Sequence, residues 1–210
     1  MRIYIIRHGE TRANIDCIIQ GWSDSPLTPY GEALAEASGR GMRGIRFDRC
    51  ISSPLGRAMQ TAGIVLKASG NDTAIETDER LREINLGDWE QQKLEDVNEA
   101  MNAYFRDTSH FATAPNGEGL NQVCARTQAV LTELAASGGE GNCLVVTHGC
   151  AYRAMLNGFY GDEGDFWHGR IPPNCAVSLV EAKDGACRLL EDDRLYFDPA
   201  DVEGYHEGKL

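Results

Sequence analysis

Apolar residues in this chain occur in short runs that stop at polar residues. The run at 1–6 contains three Ile and is followed by Arg7-His8-Gly9, and the run at 142–147 contains Leu and two Val and is followed by His148-Gly149. Continuous apolar runs of about four to eight residues are typical of strands buried on both faces. This pattern, together with less continuous apolar runs elsewhere in the chain, predicts six strands, at residues 1–6, 47–52, 74–77, 142–147, 176–182 and 187–192.

Segments with helical spacing and helix-start signals lie between these runs. Thr28-Pro29 and Ser53-Pro54 each pair a capping residue with a proline, which is favoured at the first helical position. We predict helices from residue 29 to about 39, from 53 towards 67, within 90–106, over 120–136 and after Gly149 up to Leu156. Strands and helices alternate at the start of the chain, which predicts an α/β protein with a parallel sheet. The last two strands form a pair joined by a tight turn at residues 183–186.

The composition is that of a globular protein with an acidic surface. The 210 residues carry 20 Lys and Arg against 32 Asp and Glu, a formal net charge of −12. We predict one domain over 1–195 and an acidic surface tail over 196–210. A body of this charge repels nucleic acid, so we expect no nucleic-acid partner. A small anionic ligand remains compatible with it, provided that a local positive pocket overrides the overall field.

The cysteines and the apolar runs of the chain predict its compartment and whether it forms disulfides. The seven cysteines include no closely spaced pair, so we expect reduced thiols and no disulfide framework. No apolar run approaches the ~20 residues of a membrane span, and the N-terminus lacks a signal-peptide pattern. We therefore expect a cytoplasmic protein without a membrane partner. The sequence gives no basis for an oligomeric state.

Three polar loops, each following a predicted strand, carry the candidate chemistry. They contribute Arg7 with His8, Ser53 with Arg57, and His148. Because the carboxyl ends of parallel strands meet at one edge of the sheet, two histidines and two arginines are expected to share one cavity. Arginine forks suit a phosphate dianion, and a neutral imidazole nitrogen can attack phosphorus once the charge on its oxygens is neutralised.

Phosphoryl transfer from an ester also needs a proton for the leaving oxygen. Carboxyl groups cluster at Asp78, Glu79, Glu83, Asp88 and Glu90. Partial burial or a neighbouring carboxylate can tune such a group for proton transfer. From the residues alone, any of the five could be the acid.

Four motifs in order resemble the histidine phosphatase superfamily, the phosphoglycerate-mutase-like proteins, and the resemblance runs from about residue 2 to about residue 182. The motifs are Arg7-His8-Gly9-Glu10-Thr11 with Asn14, Ser52-Ser53-Pro54-Leu55-x-Arg57-x-x-Gln60-Thr61-Ala62, Leu81-Arg82-Glu83-Ile84 with Gly87-Asp88-Trp89-Glu90, and Thr147-His148-Gly149.

The resemblance implies a fold and a set of residue roles. The fold is a three-layer α/β/α sandwich around a mostly parallel sheet, and the mechanism uses a phosphohistidine with no metal and no cofactor. The implied roles are nucleophile for His8, phosphoryl binding for Arg7, Arg57 and His148, placement of the phosphate for Asn14 and Gly149, proton donation for Glu83, and lining of the substrate side for Gln20 and Gly21.

The superfamily contains phosphatases and mutases, and the sequence favours a phosphatase acting on a small phosphorylated substrate. Mutases run Glu-Arg-His-Tyr where this chain has residues 83–86 as Glu-Ile-Asn-Leu, and between 90 and 118 only Lys93 and Arg106 could grip a substrate carboxylate. The Gly-Asp-Trp-Glu at 87–90 resembles broad-specificity and α-ribazole-phosphate phosphatases, although Gln91 and Gly119 depart from that pattern. The alternatives are a 2,3-bisphosphoglycerate-dependent mutase and a non-catalytic phosphate-binding module.

Overall fold

The computed structural model describes residues 1–161 and 165–206 and contains a six-stranded sheet. Its strands are β1 Arg2–Arg7, β2 Arg49–Ser52, β3 Ile75–Thr77, β4 Asn142–Thr147, β5 Val177–Lys183 and β6 Ala186–Arg194. The order across the sheet is β3-β2-β4-β1-β5-β6. The first four strands in this order pair in parallel, and β5 and β6 add an antiparallel edge. The predicted mostly parallel sheet is confirmed.

Helices cover both faces of the sheet. They are α1 Arg12–Ile15, α2 Pro29–Gly41, α3 Gly56–Ser69, α4 Asn98–Arg106, α5 Leu120–Ala136 and α6 Gly149–Leu156. Short 3₁₀ turns lie at Glu79–Leu81, Gly87–Trp89, Leu94–Val97, Thr108–His110, Asn157–Phe159 and Pro199–Asp201. The three-layer α/β/α arrangement is thereby confirmed.

Alternation along β1 shows why the sheet needs two covering layers. Tyr4 and Ile6 pack with α2 and α3 on one face, whereas Ile3 and Ile5 pack with α5 and α6 on the other. Successive side chains of a strand point to opposite faces, so a strand that is apolar throughout must be covered twice. A third apolar cluster joins α4 to α6 and the segment around Trp167, and it forms the wall of the cavity described below.

One of the two predicted helix starts is confirmed and the other is wrong. The Thr28 side chain accepts a hydrogen bond from the amide of Gly31, as an N-cap does. The helix predicted from Ser53-Pro54 begins instead at Gly56, with Leu55 at the cap position. The Ser53 hydroxyl lies 2.7 Å from Nε2 of His148 and also accepts the amide of Leu55 at 3.3 Å. Ser53 therefore contacts the site and supports the turn before the helix without being its N-cap.

The C-terminal segment differs from the surface tail that its acidic composition predicts. Val202 is buried, and Tyr196 packs edge-on against Tyr4 of the central strand with ring centroids 6.2 Å apart. The His206 ring lies 4.5 Å from that of Tyr30. Aromatic side chains spaced among the acids attach residues 196–206 to the sheet and α2, while 207–210 lie outside the described residues.

The antiparallel edge forms as predicted. Asp184 and Gly185 connect β5 to β6, and both have positive φ, +52° and +77°. A two-residue turn of this hand matches the twist of the paired strands. Among the helices that the structure describes, none is long and apolar enough to cross a membrane.

Candidate active site

The two histidine loops meet at the carboxyl edge of the sheet. Arg7 on β1 lies opposite Thr147 on β4 in the parallel register. His8 and His148 follow directly, and their rings lie 5.1 Å apart at 60°. The two loops therefore converge, because β1 and β4 are parallel neighbours and end at the same edge of the sheet.

Close backbone contacts hold the loop after β1. A Cβ on Gly9 would lie 2.5 Å from the carbonyl oxygen of Gly31 on α2, so only glycine allows this approach. The Gly9 amide donates to Oγ1 of Thr61, at 3.1 Å, and Asn174 donates its side-chain amide to the carbonyl of His8, at 2.9 Å. His8 is therefore fixed by its backbone before any ligand binds.

The imidazole of His8 is held in one tautomer. Its Nδ1 lies 2.7 Å from the carbonyl oxygen of Gly9. Because a carbonyl can only accept, Nδ1 carries the proton and Nε2 keeps its lone pair. Burial, together with the charges of Arg57 and Arg7, holds the pKa of His8 well below its ordinary value. His8 is therefore neutral at neutral pH, with the lone pair of Nε2 available.

His148 is buried beside it and is also neutral. Burial, followed by the charge of Arg57, lowers its pKa well below the usual histidine value. Its Nε2 contacts the Ser53 hydroxyl, whereas its Nδ1 has no hydrogen-bond partner among the described residues. A buried ring nitrogen with an unused hydrogen-bonding site fits contact with a ligand.

Arg57 lies in the first turn of α3 and is 1% exposed. Its Nη2 donates to the carbonyl of Gly21 and its Nη1 to the carbonyl of Ser23, each at 2.8 Å. Asp24 lies 3.3 Å from Nη1. Nε has no partner within the described part of the chain. Burial lowers the Arg57 pKa, yet a guanidinium stays charged at neutral pH.

Arg7 supplies the second guanidinium, and it is buried as well. Its Nη1 donates to the carbonyl of Pro172 at 2.5 Å. Gly149 packs on it, because a Cβ there would lie 3.5 Å from Nε of Arg7. Burial lowers the Arg7 pKa, and the charge of Glu83 opposes this effect. Two buried cations and one carboxylate thus face the same space.

The carboxylate of Glu83 sits against the start of α6. It accepts hydrogen bonds from the amides of Ile84 at 3.0 Å, Cys150 at 3.2 Å and Ala151 at 3.0 Å. The N-terminus of a helix carries free amide donors and a positive dipole end, so it holds a carboxylate well. Glu83 also lines the cavity that contains His8.

The other four candidate acids have different roles. Asp78 pairs with Arg80, and Asp88 accepts a hydrogen bond from Asn116. The Glu79 carboxylate pairs with Arg82 and is largely exposed. Both carboxylate oxygens of Glu90 accept backbone amides, which join the loop at 22–23 to the loop at 86. None of these four lines the cavity.

Of the remaining predicted residues, Asn14, Gln20, Gly21 and Gly149 line the cavity, whereas His148 is fully buried beside His8 and does not line it. The Asn14 side chain accepts the backbone amide of Thr11, the N-cap residue of α1, and Asn14 also lines the cavity. It therefore has a structural role and a place in the site. Gln20 and Gly21 form the adjoining wall. Gly21 has a φ of +52°, and a Cβ there would collide with the Glu90 carboxylate. The loop of Gln20 and Gly21 is therefore tied to Arg57 on one side and to Glu90 on the other.

The cavity has a volume of about 90 Å³ and two unlike ends. At one end lie Arg7, His8, Arg57 and Glu83. The other end is apolar and aromatic, and is formed by Ile18, Ile19, Ile84, Leu86, Leu94, Met101, Phe105, Trp167 and Ile171. Tyr104 also lines the cavity, where burial raises the pKa of its phenol and the charges of Glu83 and Arg7 act on it as well. Among the described lining residues, Arg7 and Arg57 are the only Lys or Arg. Residues 1–161 and 165–206 contain no group of three His, Cys, Asp or Glu that could hold a metal ion.

Sequence reasoning missed several residues that build this site. Thr61, Pro172 and Asn174 hold Gly9, Arg7 and His8. Arg126 donates to backbone carbonyls around Glu83. Thr61 belongs to the second of the four motifs. Pro172 and Asn174 lie in a loop, where no periodicity could have indicated that they contact the site.

A family model for the histidine phosphatase superfamily (branch 1) matches residues 3–192. The chain therefore belongs to this superfamily, and the resemblance drawn from its four motifs is confirmed. A relative from Proteus mirabilis, described as "Probable phosphoglycerate mutase GpmB", is 34% identical over 184 residues, covering 86% of this chain and 85% of the relative.

Solved structures of the superfamily share the fold. Bacillus stearothermophilus YhfR superimposes with a TM-score of 0.86 at 29% identity, covering 94% of this chain and 99% of that one. The α-ribazole phosphatase from Shigella flexneri gives a TM-score of 0.78 at 26% identity, with 94% and 98% covered. The names of similar proteins thus include both mutases and phosphatases.

Proposed function

We propose that this protein is a metal-independent phosphomonoesterase that hydrolyses small phosphorylated metabolites through a phosphohistidine on His8. One observation carries the proposal: a neutral histidine with a free Nε2 shares a cavity with two buried guanidinium groups and a carboxylate. The guanidinium groups neutralise the phosphoryl oxygens, and the Glu83 carboxyl group, in its protonated form, supplies the proton that departure of an alcohol requires.

The proposed reaction has two steps. In the first, Nε2 of His8 bonds to phosphorus, the ester P–O bond breaks, and protonated Glu83 gives its proton to the leaving oxygen. In the second, water attacks phosphorus, Glu83 takes the proton from that water, and the N–P bond breaks to release phosphate and restore His8. Arg7, Arg57, His148 and Asn14 hold the phosphoryl group throughout, and none of these steps needs a cofactor.

The apolar end of the cavity supports water as the phosphoryl acceptor. A mutase must hold a phosphoglycerate carboxylate in two orientations, which calls for cationic donors beyond the phosphate site. Here the lining residues beyond Arg7 and Arg57 that the structure describes offer instead the side chains of Leu94, Met101 and Phe105. Such a surface favours esters whose leaving group is uncharged and apolar.

A phosphoglycerate mutase is the second candidate, because the Proteus mirabilis relative carries that name. Both activities share the first step and differ in what accepts the phosphoryl group. Without a cationic clamp, transfer to a bound phosphoglycerate gains no binding energy that would let it compete with water.

The two candidates are separated by measuring both reactions in one preparation. Hydrolysis of p-nitrophenyl phosphate is followed with and without a chelator, and interconversion of 2- and 3-phosphoglycerate is followed with added 2,3-bisphosphoglycerate. We expect hydrolysis that the chelator leaves unchanged and that exceeds isomerisation. Isomerisation faster than hydrolysis would instead assign the mutase, and loss of turnover on chelation would reject the metal-free mechanism.

A further inference from the structure

A paired arginine and glutamate lie behind Glu83, outside the cavity. Arg126 on α5 and Glu118 before this helix form a two-point ion pair, with Nη2 to Oε1 at 2.6 Å and Nε to Oε2 at 3.1 Å. Their side chains are 17% and 14% exposed. A bidentate, mostly buried pair of this kind has a defined geometry, unlike a solvated surface pair.

Arg126 also grips the main chain that carries Glu83. Its Nη1 donates to the carbonyls of Arg80 at 2.7 Å and Arg82 at 2.6 Å, and its Nη2 donates to the carbonyl of Glu83 at 2.8 Å. The segment leaves a single 3₁₀ turn and then becomes extended, so no strand or helix supplies donors to Arg82 and Glu83. The Arg126 guanidinium takes the place of a regular hydrogen-bond ladder, and the indole Nε1 of Trp22 adds a second donor to the Glu83 carbonyl, at 2.8 Å.

Glu118 holds the same segment from its other end. Its Oε1 accepts the amide of Asn85 at 2.9 Å, and its own amide donates to the carbonyl of Asn85, also at 2.9 Å. The ion pair therefore spans the backbone on both sides of Glu83. This contact also gives a role to residues 117–119, the Gly-Glu-Gly of the sequence, which the catalytic assignments leave unused.

We propose that Arg126, oriented by Glu118, is a positioning residue that keeps the Glu83 carboxylate at the leaving oxygen. The inference rests on the proposed function, in which Glu83 is the proton donor. The amides of Cys150 and Ala151 hold the carboxylate itself, but they can hold it in place only while the backbone below it stays fixed. Proton transfer needs the donor within about 3 Å of the oxygen, so a small backbone shift is costly.

The test compares leaving groups that need the proton with one that does not. The variants are Arg126→Met and Arg126→Lys, and kcat/KM is measured for p-nitrophenyl phosphate and for a simple alkyl phosphate. Nitrophenolate leaves without help, whereas an alkoxide must be protonated. We expect Arg126→Met to lower kcat/KM for the alkyl ester about tenfold more than for the nitrophenyl ester, with a smaller excess in Arg126→Lys.

Arg49→Met is the matched control. The Arg49 side chain on β2 pairs with Glu76 on β3 at 2.8 Å, outside the segment that Arg126 holds. We expect it to keep the wild-type ratio between the two esters. Equal losses for both esters in Arg126→Met, or an unchanged ratio in Arg126→Lys if the methionine variant fails to fold, would overturn the inference. A wild-type protein that hydrolyses neither ester would reject the proposed function instead.

Discussion

The two ends of the cavity are built in different ways. At the phosphate end, His8 and Arg57 are buried and fixed by hydrogen bonds to backbone groups, mostly on neighbouring loops. At the other end, Leu94, Met101 and Phe105 are placed by packing in an apolar cluster. Directional bonds fix a geometry closely, whereas packing defines only shape and polarity. Under the proposed function, the phosphate end would determine the reaction, and the apolar end would select the ester.

Replacing Arg57 by lysine tests the phosphate end and has the largest expected effect. A lysine cannot reach both the Gly21 and Ser23 carbonyls while it presents a forked donor to phosphate. We expect kcat/KM for p-nitrophenyl phosphate to fall about a hundredfold. The control Arg40→Lys changes a surface arginine paired with Glu36 and is expected to keep full activity. A loss below threefold in Arg57→Lys would contradict the geometry described for this end.

A cation introduced at the apolar end is expected to change the substrate preference without changing the reaction itself. Leu94 is half-buried at the cavity wall, so Leu94→Arg places a guanidinium where a leaving-group carboxylate would lie. We expect the ratio of kcat/KM for 3-phosphoglycerate hydrolysis over p-nitrophenyl phosphate to rise about tenfold. Leu94→Gln adds polarity without charge and serves as the control. Equal ratios in the two variants would show that this wall does not contact the leaving group.

Between pH 7.5 and 5.5, the two buried histidines of the phosphate end are expected to make stability depend on pH. His8 and His148 have pKa values well below the ordinary histidine value, because burial penalises their charged forms. In the unfolded chain they take up protons as pH falls below about 6.5, while in the folded protein they stay neutral to lower pH. Stability is therefore complete above this pH and is lost as pH falls towards the lowered folded values.

Urea unfolding between pH 7.5 and 5.5, in a buffer without phosphate, measures this loss. Each histidine contributes up to about 1.4 kcal/mol per pH unit within its window. The double variant His8→Gln/His148→Gln is expected to show a shallower dependence than wild type, and Leu94→Gln the same dependence as wild type. If the double variant and the wild type have the same slope, the two rings are not buried in their neutral forms.

The same contrast explains what could be predicted from the sequence. The parallel sheet follows from apolar runs at β1 and β4, and the meeting of Arg7, His8 and His148 follows from parallel pairing. Glu83 could not be separated from its four neighbours without the family motif, since the feature that distinguishes it, contact with the start of α6, is tertiary. A proline after a capping residue predicted a helix that begins at Ser53. The helix begins at Gly56 instead, and the Ser53 hydroxyl contacts His148.

The apolar end was beyond sequence reasoning for a physical reason. Its side chains come from the segments 18–19, 84–86, 94–105 and 167–171, where a shared apolar character is typical of any core. Nothing in their spacing separates a cavity wall from a filled interior. Arg126 was missed similarly, because its partners are backbone carbonyls, which leave no mark in the residue pattern.

The central claim is that the phosphoryl group passes through His8, and trapping that intermediate tests it most directly. The protein is mixed with p-nitrophenyl phosphate, denatured with base within milliseconds to seconds, and digested for mass spectrometry, with His110→Ala as control because that ring is exposed and outside the cavity. We predict an acid-labile, base-stable phosphate on the His8 peptide of wild type and His110→Ala, and none in His8→Ala, which is inactive. Hydrolysis that proceeds in His8→Ala, or phosphate on a different residue, would contradict the account.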